Sequence, residues 1–293
     1  MSDSKFNTIV ILDAVPEGEL NTARRLDEDL RDIASYVADG LQVRYFRLNN
    51  IDDLRSGLLS TLDEIKHNGI KPWIHLDGHG LEDLSGFVFA TKTTSCSWVQ
   101  LKRLITPINV ELKLNLILIL ATCYGGSFAR EIETIDRAPV LGLIGPRREV
   151  SAGEIETAFT NFYKTFFKTL SLGDALDALD QATSSELYYR TSAENFFYEA
   201  WSLYKLTFCT KEAAEKRASR LCQQQKERGG QHISVGQIKR IIKDREPEVF
   251  NNFRDIYFMY DLDMENRKRF PVTYEQAEIN AKEFANQALK HDG

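Results

Sequence analysis

Leu114-Asn-Leu-Ile-Leu-Ile-Leu-Ala121, followed without a break by Thr122-Cys-Tyr-Gly-Gly-Ser127, decides the fold. A leucine and isoleucine run of this kind, ended by glycines, predicts a strand buried on both faces. Such strands belong to mostly parallel sheets, which need helical crossovers between successive strands. The flanking sequence supplies them. Thr8–Leu12, Leu41–Arg47, Pro72–Leu76 and Val140–Ile144 read as further strands. Asn21–Ala38, Ile51–His67, Ser97–Thr106, Thr157–Leu170 and Ser171–Ser184 read as helices between or after them. Asn21–Ala38 has apolar residues at 26, 30, 33 and 37, and Ile51–His67 at 54, 58, 62 and 65, which is helical spacing. Trp201–Phe208 is expected as a last strand, which makes six. The expected class is α/β, with a mostly parallel six-stranded sheet between layers of helices.

After Thr210 the character changes. Residues 211–246 hold ten Lys/Arg and five Asp/Glu, a local net of +5. Lys211–Arg228 predicts a charged helix stopped by Gly229-Gly230. Ser234-Val-Gly-Gln237 and Thr273-Tyr-Glu-Gln276 have the pattern of capping boxes. The helix begun at Ser234 should end before Pro247. Phe250, Phe253, Tyr257 and Tyr260 share one helical face, expected to pack on the first domain. We therefore expect one domain over 1–210 and a helical C-terminal extension over 211–293.

Composition narrows the class. The chain has 293 residues, 43% apolar and 27% charged, which fits a globular protein rather than a disordered or fibrous one. The formal net charge of −6 argues against a general nucleic-acid binder. The basic segment also lacks the aromatic interleaving that nucleic-acid binding favours. Four cysteines are too few for a disulfide scaffold. With no apolar N-terminal stretch and no apolar run near 20 residues, the expectation is a cytoplasmic protein without a membrane span.

In a parallel sheet, functional groups gather at the carboxyl ends of the strands. Two ends carry chemistry. One reads His75-Leu-Asp-Gly-His79-Gly80, the other Ala121-Thr-Cys123-Tyr-Gly125-Gly126. A thiol attacks a carbonyl as its thiolate, and an imidazole can take its proton and return one to the leaving amine. Gly126-Ser127 is expected to begin a helix whose N-terminal end would favour that thiolate. His75, Asp77 and His79 alternate, so a metal site for a hydrolase is an alternative. So is a buried, hydrogen-bonded His75. Asp77 is a candidate for orienting a neighbouring group, or for bonding to loop amides. Cys96, Cys209 and Cys222 have no paired histidine or CxxC spacing and read as structural.

On these residues the chain resembles the caspase-like cysteine peptidases, the group of caspases, metacaspases, gingipains and separase. It is most similar to the bacterial CHAT branch. The resemblance rests on Trp73-Ile-His-Leu-Asp-Gly-His79-Gly80, on Leu116-Ile-Leu-Ile-Leu-Ala-Thr-Cys123-Tyr-Gly-Gly126, and on Val140–Gly145 followed by an aromatic helix with Phe162-Tyr163 and then Leu172-Gly-Asp-Ala-Leu176. It covers about residues 8–210. It implies the three-layer caspase-like fold and a regulated bacterial endopeptidase of stress or antiphage signalling. Cys123 would be the nucleophile and His79 its partner. The backbone amides of Gly80 and Cys123 would hold the oxyanion. The chemistry needs no cofactor, although some metacaspases use calcium for activation. The residues between Cys123 and Gly125 depart from the caspase pattern, so caspase substrate preference does not carry over. In the family, loops after the first and fifth strands line the specificity pocket. Here they offer Asp13 and Arg147, Arg148 and Glu154. Both signs of charge are present, so the preferred substrate residue stays open. Expected partners are a protein substrate and a regulatory protein on the C-terminal extension. Oligomeric state stays open. The competing non-enzymatic expectation is a protein-binding module on the same fold.

Overall fold

Five of the six expected strands form one sheet. The computed structural model describes residues 6–36, 41–183, 187–229 and 233–291. Its first half runs β1 (Thr8–Asp13), α1 (Thr22–Tyr36), β2 (Gln42–Arg47), α2 (Ile51–Asn68) and β3 (Pro72–Asp77). Three short strands follow, β4 (His79–Gly80), β5 (Gly86–Val88) and β6 (Ser95–Ser97), then α3 (Trp98–Glu111) and β7 (Ile117–Ala121). After a 3-10 segment at Gly125–Glu131 come β8 (Gly142–Pro146), α4 (Ala152–Thr169), α5 (Leu172–Ala182) and β9 (Tyr188–Ser192). The main sheet has the order β2-β1-β3-β7-β8-β9, parallel except for β9. A separate antiparallel sheet of β4-β5-β6 was not anticipated.

Alternation along the strands fixes the layers. Ile9, Ile11, Trp73, Ile117 and Ile119 share a core with Leu26 and Leu30 of α1, the aromatic residues of α4, and Leu179 of α5. On the opposite face Phe46 meets Gly57 of α2, where an added Cβ would lie 3.1 Å from the ring. Helices thus flank a mostly parallel sheet, an arrangement compatible with three layers.

Several boundaries move for local reasons. β7 starts at Ile117 because Lys113 and Leu114 turn the chain at positive φ. α4 starts at Ala152 because Ser151 and Glu154 form a capping box. α3 continues through Pro107 to Glu111. The expected ends at Ala38 and Ser184, and Gly230, lie outside the described residues.

Trp201–Phe208 is corrected. It is not a strand but the end of α6 (Ala193–Phe208), and the sixth strand is β9. Chain contacts divide the molecule into two units, Met1–Ile132 with Ala138–Ala193, and Glu133–Arg137 with Glu194–Gly293. The division falls at Ala193, ahead of position 210.

The second unit is helical. After α6 it contains α7 (Lys211–Glu227), α8 (Val235–Asp244), α9 (Glu246–Tyr257), α10 (Asn266–Arg269) and α11 (Tyr274–His291). Gly229 takes a left-handed φ of 67° just past α7, and Ser234 and Gln237 complete a capping box. The aromatic stripe is internal to this unit. Phe250 and Tyr257 pack on Phe197, and Phe250 and Phe253 pack on Trp201. Arg137 makes a two-pronged bond to Asp261 at 2.8 and 2.6 Å. Trp73 and Trp98 in the first unit and Trp201 in the second are all fully buried. Among the described residues, no helix is long and apolar enough to cross a membrane.

Candidate active site

β3 and β7 are neighbours in the sheet, and Asp77 stands opposite Ala121 in register. The chain beyond each strand end therefore emerges side by side. Gly80 shows how close the two become. A Cβ built on it would sit 1.9 Å from the carbonyl oxygen of Cys123 and 3.3 Å from its Cα. Only glycine fits there. The two residues whose amides were expected to hold an oxyanion are thus in backbone contact.

Cys123 is held by a tight turn. Tyr124 is left-handed at φ 58°, ψ 20°, a conformation that costs a side-chain-bearing residue about 1 kcal/mol. The Gly125 amide donates to the Thr122 carbonyl at 3.0 Å, and the Tyr124 amide to the Arg148 carbonyl at 3.3 Å. The Val150 amide donates to Cys123 Sγ at 3.4 Å, and the thiol donates to the Val150 carbonyl at 3.5 Å. An N–H aimed at sulfur is suited to a thiolate. The expected helix after Gly126 is a seven-residue 3-10 segment. The donor to sulfur is instead the loop between β8 and α4. Cys123 is partly exposed, whereas Cys96 is buried and burial pushes its thiol up to about 12. Burial also raises the Cys209 thiol.

His79 opens β4, just past the Gly78 break. Its Nε2 lies 2.6 Å from Glu19 Oε2, and Lys92 Nζ lies 2.5 Å from Glu19 Oε1. The hydrogen bond from Lys92, then that from His79, holds the Glu19 carboxyl below the usual range. Glu19 was missed in the sequence because it sits in a polar turn, Pro16-Glu-Gly-Glu-Leu20, with no periodicity. Its only signal is its place after the first strand.

Asp77 does not orient His79. Its carboxyl accepts from Thr22 Oγ1 at 2.5 Å and from the Gly78 amide, and burial is the main force pushing it up to about 7. His75 is a core residue. Its Nδ1 pairs with the Tyr163 hydroxyl at 3.2 Å, Nε2 has no partner, and burial pushes the imidazole down to about 3. The three residues of the metal alternative thus have separate partners. Among the described residues, no group of three or more His, Cys, Asp or Glu could hold a metal ion.

His79 and Cys123 line one cleft of about 360 Å3, its open mouth included. Val15, Glu19 and Leu20 from the stretch after β1, Thr22 of α1, Val150, and Ala152 and Ile155 of α4 contribute to its lining. Asp77 and Gly78 complete it. The cleft lies where β1 is followed in sequence by β2 on one side but pairs with β3 on the other, the switch point at which open α/β sheets bind ligands. No hydrogen bond joins Sγ to the imidazole; sulfur is engaged by Val150, and Nε2 by Glu19. Catalytic hydrogen bonds often tighten only when substrate is present.

The four specificity candidates are not among the lining residues. Asp13 is buried and committed to Arg47, Tyr45, Asn21 and the Val15 amide. The Arg147 guanidinium lies 4.7 Å from the Tyr189 ring centre. Arg148 donates to the Glu149 carbonyl and sits 3.8 Å from Glu154. Glu154 caps α4, and hydrogen bonds from Ser151 hold its carboxyl below the usual range. No protein-family model matches the chain, and no curated protein does.

Proposed function

We propose that this chain is a cysteine-type endopeptidase with a caspase-like fold. The observation that carries this is the placement of Cys123 and His79 in one cleft, at the carboxyl ends of adjacent parallel strands. Cys123 Sγ attacks the peptide carbonyl as its proton passes to His79. Glu19 on Nε2 favours the tautomer protonated there and leaves Nδ1 as the base. The carbonyl electrons move onto oxygen, stabilised by the backbone amides of Gly80 and Cys123. The tetrahedral species collapses, the C–N bond breaks, and the amine leaves with the proton from His79. Water, deprotonated by the same imidazole, then hydrolyses the acyl-enzyme. The resemblance to caspase-like and CHAT peptidases supports this reading. It also suggests a regulated bacterial protease acting in the cytoplasm, in stress or antiphage signalling.

The test is a peptide library read by mass spectrometry with the parent chain, Cys123→Ala and His79→Ala. Cleavage is expected from the parent alone, with both variants retaining the parent's circular dichroism spectrum. Cleavage by Cys123→Ala would overturn the proposal. Iodoacetamide should also modify Cys123 well ahead of Cys96, Cys209 and Cys222. Equal rates at all four would favour a non-catalytic binding module.

A further inference from the structure

We propose, resting on the peptidase reading, that Asp13 is a positioning residue for His79. It touches neither Cys123 nor His79 and acts through the loop that carries Glu19. That loop is Ala14–Asn21, between the end of β1 and the start of α1. Asp13 is fully buried, and its carboxylate holds both ends of the loop. Oδ1 accepts from the Val15 amide at 2.8 Å, and Oδ2 from the Asn21 side chain at 3.0 Å. Asn21 passes the constraint on, since its own Oδ1 accepts from the Arg24 amide at 2.7 Å and caps α1. Arg47 at 2.6 Å and the Tyr45 hydroxyl bind the same carboxylate from β2. A buried carboxylate with four donors, one of them cationic, is a fixed point from which the loop is hung.

The crest of the loop is fixed as well. The Glu19 amide donates to the Pro16 carbonyl at 3.4 Å, around a Gly18 whose φ is 82°. A four-residue turn of this kind needs a left-handed third residue. Nothing lies within 4 Å of a Cβ added at Gly18, so the glycine serves the turn and not the packing. The turn ends on Glu19, whose Oε2 meets His79 Nε2 at 2.6 Å while Oε1 meets Lys92 Nζ at 2.5 Å. The His79 side chain is half-exposed, so its ring depends on this bond for its orientation. With base and crest of the loop both held, the carboxylate stands in one place, and tautomer and ring plane are set before substrate arrives.

Steady-state cleavage of a fluorogenic peptide by Asp13→Asn, Glu19→Gln and the double variant tests the chain of contacts. The asparagine keeps an acceptor for the Val15 amide and has no second oxygen for Asn21. Each single variant should lose roughly 10- to 100-fold in kcat, the effect of a small misplacement, with KM within about twofold. The double variant should lose no more than Glu19→Gln alone. Gly18 gives a check that leaves the buried carboxylate intact. Gly18→Val should lose kcat in the same way, and Gly18→Asn, which tolerates left-handed backbone, should keep it. Should Asp13→Asn fail to fold, Asn21→Ser takes its place, because serine still caps α1 but is too short to reach Asp13. A folded Asp13→Asn or Asn21→Ser chain with the parent's kcat, or losses that multiply in the double variant, overturns the role of Asp13 and leaves the peptidase standing. No Cys123-dependent cleavage by the parent overturns positioning and peptidase together.

Discussion

A methyl group at Gly80 would collide with backbone, not with a side chain that can swing away. Gly80→Ala should therefore force apart the ends of β3 and β7 and cost about 3 kcal/mol or more. Gly153, in the first turn of α4, has nothing within 4 Å of its would-be Cβ. Gly153→Ala should be neutral or mildly stabilising, since alanine is the better helix former. Urea unfolding of the two variants checks the pair, and equal stability would contradict the close contact at Gly80. At this scale the sequence was legible where chemistry and strand ends coincide, as at His79 and Cys123. It was illegible where partners are chosen by the fold. Nothing local distinguishes Glu19 from Glu17, and Asp13 stood at a strand end yet was claimed by Arg47 from the neighbouring strand. Val150 donates to sulfur through its backbone, a role that leaves no mark on residue type.

Among the elements, α4 links packing to the site. Its first turn supplies Ala152 and Ile155 to the cleft, and the loop before it supplies the Val150 amide. Ser151 caps it through the Glu154 amide at 3.2 Å, and Glu154 returns a bond to the Ser151 amide at 2.8 Å. Ser151→Ala should cost about 1 kcal/mol in urea unfolding. Cleavage by the proposed peptidase should also slow, because the Val150 loop loses its anchor. An unchanged stability would show that Glu154 alone holds the turn. β1, β3 and β7 were legible because residues buried on both faces leave near-continuous apolar runs. β9 pairs antiparallel at the sheet edge, and its Tyr188-Tyr-Arg-Thr-Ser192 is only partly apolar, so it left no such run. Trp201–Phe208 misled because its dense apolar residues fit a strand over eight positions. Over the longer span, Phe197, Trp201 and Tyr204 fall at helical spacing and meet the aromatic residues of α9.

For the whole molecule, two buried groups on β3 pull stability in opposite directions as pH changes. His75 is held neutral in the fold, at about 3 against a usual 6.5. The unfolded chain therefore binds the extra proton, and stability falls as pH drops from about 6.5 toward 3. Asp77 is held protonated, at about 7 against a usual 3.8. The unfolded chain loses that proton first, and stability falls as pH rises from about 4 through 7. Between pH 4 and 6.5 the two slopes, each up to about 1.4 kcal/mol per pH unit, cancel. Removing one group exposes the other. His75→Asn should lose stability as pH rises across this window, relative to the parent, and Asp77→Asn should gain it. Urea midpoints at pH 4.5, 5.5 and 6.5 check both signs, and parallel profiles for the two variants would contradict them. The burial of all three tryptophans has an optical consequence. With Trp73 and Trp98 in one unit and Trp201 alone in the other, native emission is blue-shifted throughout. Each unit thus carries its own fluorophore, and phenylalanine in place of Trp201, or of Trp73 and Trp98 together, leaves a chain whose red shift on melting reports a single unit.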